Sequence, residues 1–116
     1  MMSKIYFLST CDTCKRIMKQ WNLDGVELQD IKYERITEEQ IDEMIALAGS
    51  AEALFSKRAR KYKELGLKDK TLTEQDIRAL ILEEYTFLKR PVLIHRGAIY
   101  VGNSSKVVTA AEAALI

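Results

Sequence analysis

The feature that most constrains this chain is a Cys-x-x-Cys pair, Cys11 and Cys14, directly after its first strand-forming segment. The KIYFL run at residues 4–8 is β-branched and aromatic, which predicts a strand. Apolar side chains recur with helical spacing over residues 12–22, and residues 26–31 alternate apolar and polar side chains as a half-buried strand does. The chain is therefore predicted to begin with a right-handed β-α-β unit whose first helix starts at the cysteine pair.

The rest of the chain predicts a helical segment followed by a hairpin and a helix. Residues 37–40 (TEEQ) have the pattern of a capping box, and further helices are expected up to about residue 88. Two apolar runs separated by Arg96-Gly97 predict a β-hairpin over residues 92–101. The alanine-rich end, residues 104–116, predicts a helix. The predicted order is β-α-β, helical insertion at about 37–88, β-β-α, in one α/β domain over 1–116.

Composition and charge exclude several classes of function. The formal net charge is +1, so nothing in the overall charge favours nucleic acid or an anionic membrane surface. No apolar run approaches the ~20 residues of a membrane span, and the start of the chain does not have the pattern of a signal peptide. We expect a cytoplasmic monomer with no membrane partner and no direct nucleic-acid partner.

The cysteine count favours redox chemistry. The two cysteines are three positions apart, so a bond between them closes too short a loop to staple a fold. A zinc site would normally need a second pair of ligands, and His95 is the one other candidate of the usual kind. No metal is therefore expected, and His95 is more simply explained as an ordinary surface or hydrogen-bonded histidine.

Position at a helix N-terminus predicts a reactive Cys11. Unpaired N–H groups and the helix dipole stabilise an anion there, so the pKa of Cys11 is expected to be low. Lys15 and Arg16 add positive charge, and Asp12 acts in the opposite direction. Cys14 lies a turn deeper, where it is expected to be less exposed and to resolve a mixed disulfide on Cys11. The alternative is two inert, half-buried cysteines, which the strand–Cys-x-x-Cys–helix context disfavours.

Two further features leave alternatives open. A basic run, residues 57–61 with Lys63, is either a solvated helix face or an anion site beside Cys11. The Arg90-Pro91 bond opens a predicted strand, and statistics alone favour a trans proline at a strand edge.

Four segments, which together run along almost the whole chain, resemble the arsenate reductase (ArsC/Spx) family, a branch of the thioredoxin fold. They are KIYFLSTCDTCKR, LFSKRARKYKELGL, LKRPVLI and the glycine of YVG at 102. The resemblance implies a thioredoxin-like α/β fold with a central mixed four-stranded sheet flanked by helices.

The resemblance also implies a set of site residues. It makes Cys11 the nucleophile, places the family's two arginines at Arg58 and Arg90, and implies that Pro91 is cis. Arginine forks bind oxyanions bidentately, so two of them beside a thiolate would hold an anionic substrate. The full predicted anion-binding set is Arg58, Arg90, Thr10, Thr13, Lys15 and Pro91.

The implied function is that of a thiol oxidoreductase. The Cys11 thiolate would attack an arsenate-type oxyanion, a glutathione mixed disulfide or a protein disulfide, and Cys14 or glutathione would release the reduced product. No bound cofactor is implied; glutathione, glutaredoxin or thioredoxin would supply the electrons, with glutaredoxin as a partner. Residues 101–105 (VGNSS) lack the third anion-binding arginine of arsenate reductases, so efficient arsenate reduction is not expected.

Two alternative functions stand beside the thiol oxidoreductase hypothesis. The first is an Spx-like redox-sensing regulator that binds RNA polymerase, with a Cys11–Cys14 disulfide as its switch and the basic run as contact surface. Spx-type regulators carry an additional charged tail, whereas this sequence stops at Ile116. The second is a thioredoxin-fold domain that has lost activity, which the intact Cys-x-x-Cys pair argues against.

Overall fold

The computed structural model describes residues 3–116. Residues 1 and 2, at the start of the segment considered for a signal peptide, lie outside this range. The described chain divides into two compact units, residues 3–34 with Arg90–Ile116, and Arg35–Lys89. The second unit and the helical insertion predicted at about 37–88 have similar bounds. Whether the whole chain is one domain stays a prediction.

Strands and helices follow each other in the predicted order. The first unit contains β1 (Ser3–Phe7), α1 (Asp12–Gln20) and β2 (Val26–Asp30). The second unit contains α2 (Glu38–Ala48), α3 (Arg60–Glu64) and α4 (Glu74–Glu83), with 3-10 turns at Glu52–Leu54, Leu67–Asp69 and Tyr85–Phe87. The chain then returns to the first unit for β3 (Val92–His95), β4 (Ala98–Val101) and α5 (Ser105–Ala114).

The four strands form one mixed sheet in the order β2-β1-β3-β4. β1 pairs with β2 in parallel, while the β1–β3 and β3–β4 pairs are antiparallel. Arg96 and Gly97 have φ angles of 51° and 81°, which suit the two-residue hairpin turn between β3 and β4. The predicted α/β fold with a central mixed four-stranded sheet is confirmed.

Helices α1 and α5 pack on this sheet through one apolar cluster. Its buried members are Ile5 and Leu93 from the strands, Ile17 and Trp21 from α1 and its end, and Ala111 and Leu115 from α5 and its end. The indole Nε1 of Trp21 also donates a hydrogen bond to the Val108 carbonyl oxygen, at 3.1 Å. Apolar side chains that recur with helical spacing over residues 12–22, such as Ile17 and Trp21, therefore pack on the sheet.

Strand β2 departs from its predicted pattern. The alternation in VELQDI would place Leu28 on a buried face, but the Leu28 side chain is 51% exposed and Gln29 is 2% exposed. Gln29 is buried with its amide satisfied, because its Nε2 donates to the Glu34 carbonyl oxygen at 3.0 Å. β2 lies at the edge of the sheet, where the polar–apolar alternation of one strand is a weak guide to its buried face.

Local capping signals explain helices α2 and α4 of the second unit. The Thr37 hydroxyl accepts the Gln40 N–H at 3.1 Å, and the Gln40 side-chain oxygen accepts the Thr37 N–H at 3.0 Å. Gly49 ends α2 in the left-handed region, with φ of 96°. Thr73 and Asp76 form a second capping box at the start of α4. Around these helices the core of the unit includes Phe55 and Phe87, whose ring centroids lie 5.3 Å apart.

Candidate active site

Cys11 lies in the tight turn that joins β1 to α1. Its backbone N–H donates to the Leu8 carbonyl oxygen at 3.0 Å, and its own carbonyl oxygen accepts the Lys15 N–H at 3.1 Å, which begins the helix. Cys11 is thus the N-cap residue of α1, with extended backbone angles (φ −100°, ψ 111°). The residue is half-buried, so Cys11 lies at the helix N-terminus with part of its surface open to solvent.

The surroundings of Cys11 lower the pKa of its thiol. Partial burial alone would raise this pKa, because it disfavours the charged form. The opposing effects are larger together: the backbone N–H and thiol of Cys14 interact with the sulfur, and Arg90 adds its positive charge and a hydrogen bond. The sulfur does not make a capping hydrogen bond of regular geometry; its stabilisation comes from these neighbours instead.

The pKa of the Cys14 thiol is shifted in the opposite direction. Its side chain is 0% exposed, and burial together with the negative charge of Cys11 raises the pKa of Cys14 to about 11. A hydrogen bond from the Leu8 backbone and the charge of Arg90 offset part of this rise. The prediction that Cys14 is less exposed than Cys11 is confirmed, and both thiols are free.

Arg90 and Pro91 come to this site from the other end of the sequence. The Arg90–Pro91 peptide bond is cis, as the family resemblance implied. The Pro91 carbonyl oxygen accepts the Gly102 N–H at 2.9 Å, and Gly102 has a φ of 89°, a backbone conformation that favours glycine. The glycine of the YVG segment therefore holds the proline loop in place.

The remaining predicted anion-binding residues of the first unit lie on or near this turn. Thr10 is exposed in the turn, Thr13 is half-buried in the first turn of α1, and Lys15 is exposed on the helix. Their binding roles stay predictions.

Arg58 belongs to the second unit, in the loop that precedes α3. The basic run around it is solvent-exposed, and two of its lysines have acidic partners: Lys57 lies 4.0 Å from Glu52, and Lys61 lies 3.9 Å from Glu64. These contacts fit a solvated surface, and the anion-binding role of Arg58 stays a prediction.

Sequence reasoning missed one residue next to the Cys11 turn, Asp30. Its Oδ1 accepts the Ser9 N–H at 3.4 Å and the Lys32 N–H at 3.1 Å. Parallel pairing of β1 with β2 places Phe7 opposite Asp30, so the residues after β1 meet the end of β2. Such a contact could have been found only by noting that two parallel strands end at the same edge of the sheet.

His95 has a hydrogen-bonding partner at the other end of the same strands. Its Nδ1 contacts the hydroxyl of Ser3, which fits the interpretation of His95 as an ordinary hydrogen-bonded histidine. Within residues 3–116, no group of three or more His, Cys, Asp or Glu side chains could hold a metal ion. In the same residues, no helix has the length and apolar character needed to cross a bilayer.

Comparison with known proteins identifies the family. The model of the ArsC family matches residues 6–111. The YffB protein, at 25% identity and a TM-score of 0.81, is aligned over 98% of this chain and 99% of its own. A possible arsenate reductase from Streptococcus mutans, at 28% identity and a TM-score of 0.68, is aligned over 84% of this chain and 87% of its own.

An arsenate reductase from Vibrio cholerae shares the fold at 18% identity, with a TM-score of 0.77 over 93% of this chain and 95% of its own. A search of curated proteins finds no significant match. The family model covers both cysteines, Arg58, Arg90 and the cis-proline loop in one continuous match. The chain therefore belongs to the ArsC family, a family of thiol oxidoreductases.

Proposed function

We propose that this protein reduces a disulfide or an arsenate-type oxyanion by nucleophilic attack of the Cys11 thiolate. The observation that carries the proposal is the lowered pKa of Cys11, in a half-buried N-cap sulfur beside Arg90. The thiolate is the nucleophilic form of cysteine, and low-pKa, partly exposed cysteines are the reactive ones. Of the two substrate classes we favour a glutathione or protein disulfide, because residues 101–105 contain no arginine.

The first step forms a mixed disulfide. The Cys11 thiolate attacks one sulfur of the substrate disulfide, a bond forms between these two sulfurs, and the original S–S bond breaks. The second substrate sulfur leaves as a thiolate and takes a proton from water. With an arsenate-type substrate, the thiolate would instead form a sulfur–arsenic bond and displace a hydroxyl group of the oxyanion, which takes a proton from solvent and leaves as water.

Arg90 has two roles in this proposal. In the resting protein its guanidinium stabilises the Cys11 thiolate. When substrate binds, the same planar group can hold an anionic oxygen, such as a glutathione carboxylate, through paired N–H donors. Thr10, Thr13 and Lys15 are proposed as further contacts of that anion, with cis-Pro91 beside them, and Arg58 is proposed on the family resemblance.

A second thiol completes the reaction. Cys14 or a glutathione thiolate attacks the Cys11 sulfur, and the substrate leaves as a thiolate or, from an arsenate adduct, as an arsenic(III) oxyanion. The two electrons come from the pair of thiols, which becomes a Cys11–Cys14 or a Cys11–glutathione disulfide. Cys14 is a poor nucleophile in the resting state because its pKa is raised to about 11. The mixed disulfide removes the Cys11 charge, one cause of that rise, although burial remains. Either disulfide would then be reduced by glutathione, glutaredoxin or thioredoxin, which restores the Cys11 thiolate.

Turnover assays test this function. The wild-type protein would be given arsenate, a glutathione mixed disulfide and a protein disulfide, each with glutathione and glutaredoxin. Cys11→Ser is expected to lose all turnover, because serine has no thiolate. Cys14→Ser is expected to retain turnover where glutathione resolves the adduct, and to lose it where Cys14 does. If Cys11→Ser matches the wild type with every substrate that reacts, the proposed function is wrong.

The Spx-like alternative gives a different result in a binding experiment. The Cys14 thiol interacts with the Cys11 sulfur, so the pair could also act as a disulfide switch. A stoichiometric complex with RNA polymerase that depends on the redox state of the pair would favour the regulator. A turnover rate that depends on Cys11 without such a complex would favour the enzyme.

A further inference from the structure

The turn that carries Cys11 is fixed at several points. The Cys11 N–H bonds the Leu8 carbonyl oxygen at 3.0 Å, so residues 8–11 form one hydrogen-bonded turn. The second residue of this turn, Ser9, donates its N–H to the Asp30 carboxylate at 3.4 Å. The Ser9 side chain also helps to lower the pKa of that carboxylate. One side chain from the neighbouring strand thus contacts Ser9 in the turn.

Asp30 is itself held firmly at the end of β2. The Oδ1 atom that accepts from Ser9 also accepts the Lys32 N–H at 3.1 Å. The Asp30 carbonyl oxygen accepts the Tyr33 and Glu34 N–H groups, at 3.1 and 2.8 Å. The next residue, Ile31, donates its N–H to the Phe7 carbonyl oxygen at 2.9 Å, which ties the ends of β1 and β2 together.

These hydrogen bonds favour the charged carboxylate. Slight burial works against ionisation of Asp30, but the hydrogen bonds from Ser9 and Lys32 keep its pKa below the usual range. An ionised carboxylate accepts stronger hydrogen bonds than a neutral group does. Asp30 is therefore suited to hold a loop rather than to exchange protons near neutral pH.

We propose that Asp30 is a positioning residue for Cys11. By holding Ser9 it holds the turn that places the Cys11 sulfur against the Cys14 N–H and the Arg90 guanidinium. Asp30 acts through Ser9, and no contact with the reacting sulfur is required. The proposal rests on the proposed role of Cys11 as the reactive thiolate, and it extends that site to a carboxylate on the neighbouring strand.

The pH profile of Cys11 alkylation by iodoacetamide distinguishes a positioning role of Asp30 from a simple effect of its negative charge. Loss of a nearby negative charge would by itself lower the pKa of Cys11. Loss of positioning would raise it, because the sulfur would lose part of its contact with Cys14 and Arg90. For Asp30→Ala we expect the midpoint to move up by roughly half to one pH unit, which makes alkylation about three- to tenfold slower at a pH below both midpoints.

Matched variants make the result specific. Asp30→Asn keeps an oxygen that can accept the Ser9 and Lys32 N–H groups, so it should restore most of the wild-type profile. Glu27→Ala removes a different, exposed carboxylate from the same strand, one that lies 3.7 Å from the Lys4 ammonium. Its alkylation profile should match that of the wild type.

Ser9→Ala tests the same Ser9–Asp30 contact from the Ser9 side. It removes the hydroxyl donor and should move the midpoint upward by less than Asp30→Ala does. The double variant should show no more than the Asp30→Ala shift, since the two residues act as one contact. Circular dichroism checks folding, and if Asp30→Ala does not fold, the direction of the Ser9→Ala shift decides the question.

Unchanged or lowered midpoints in folded Asp30→Ala and Ser9→Ala would overturn the positioning role. Failure of the proposed function looks different. It would appear as an ordinary alkylation midpoint or absent turnover in the wild-type protein, whatever the Asp30 variants do.

Discussion

Cys11 and Cys14 are separated by two residues, and the pKa values of their thiols are shifted in opposite directions. The half-buried Cys11 has a lowered pKa, while burial of Cys14 raises its pKa to about 11. The placement of the cysteine pair at a helix N-terminus could be predicted from the sequence, because the strand pattern ends and the helical pattern begins at these two residues. The contribution of Arg90 could not be derived from spacing. It depends on the antiparallel β1–β3 register, in which Tyr6 faces Val92, so that the residues before β3 run beside those after β1.

The raised pKa of Cys14 predicts a loss of stability at high pH. In the unfolded chain the thiol ionises near its ordinary pKa of 9.0, whereas the folded thiol stays neutral to about 11. The stabilisation is therefore complete below pH 9 and is lost as the pH rises through 11, by on the order of 2 kcal/mol.

Urea unfolding of the reduced protein between pH 8 and 11.5 measures this effect. Cys14→Ala should lack that part of the decline, whereas Cys11→Ser, which keeps the buried thiol, should retain most of it. Parallel declines in the wild type and Cys14→Ala would contradict the prediction.

Among the strands and helices, features that depend on neighbouring residues in the sequence could be predicted. The buried face of the edge strand β2 could not. The capping box at residues 37–40 and the hairpin turn at Arg96-Gly97 depend on neighbours in sequence, and both form as predicted. The cis bond at Pro91 came from the family resemblance and not from statistics. Gln29 is buried and Leu28 exposed because tertiary packing, not alternation, decides which face of β2 is covered.

Removal of the α2 capping box should destabilise the second unit. The Thr37 side chain accepts the Gln40 N–H, and Thr37→Ala leaves that N–H without its partner at a cost of about 1 kcal/mol. Thr109→Ala is the matched control, since Thr109 is exposed within α5 and alanine is the better helix former. Thermal unfolding should show a loss for Thr37→Ala alone. An equal loss in both variants would show that the cap is not the cause.

At the scale of the whole molecule, the fold of the first unit depends on distant segments. Its sheet joins β1 and β2 to β3 and β4, with residues 35–89 in a separate unit between them in sequence. The order of strands and helices was nevertheless predictable from local sequence patterns, whereas the mixed four-stranded sheet was implied by the family resemblance. The placement of Arg58 was not, since it lies in the other unit and its role was inferred only from the family.

Leu93 tests the core that unites these segments. Its side chain is 0% exposed in the cluster formed by the sheet, α1 and α5. Leu93→Ala should lower the free energy of unfolding by about 2–5 kcal/mol, because it removes buried methyl groups and leaves a cavity. Leu28→Ala, at a half-exposed leucine of the same sheet, should cost within about 0.5 kcal/mol. Similar losses at both positions, measured by urea unfolding, would contradict the described core.

The pH dependence of Cys11 alkylation in the reduced wild-type protein, with mass spectrometry to assign the modified cysteine, measures whether Cys11 is a stabilised thiolate. We expect a Cys11 midpoint clearly below the ordinary thiol value of 9.0, and a higher midpoint in Arg90→Gln, which removes the positive charge. A Cys11 midpoint at or above the ordinary value would contradict a thiolate held at the start of α1.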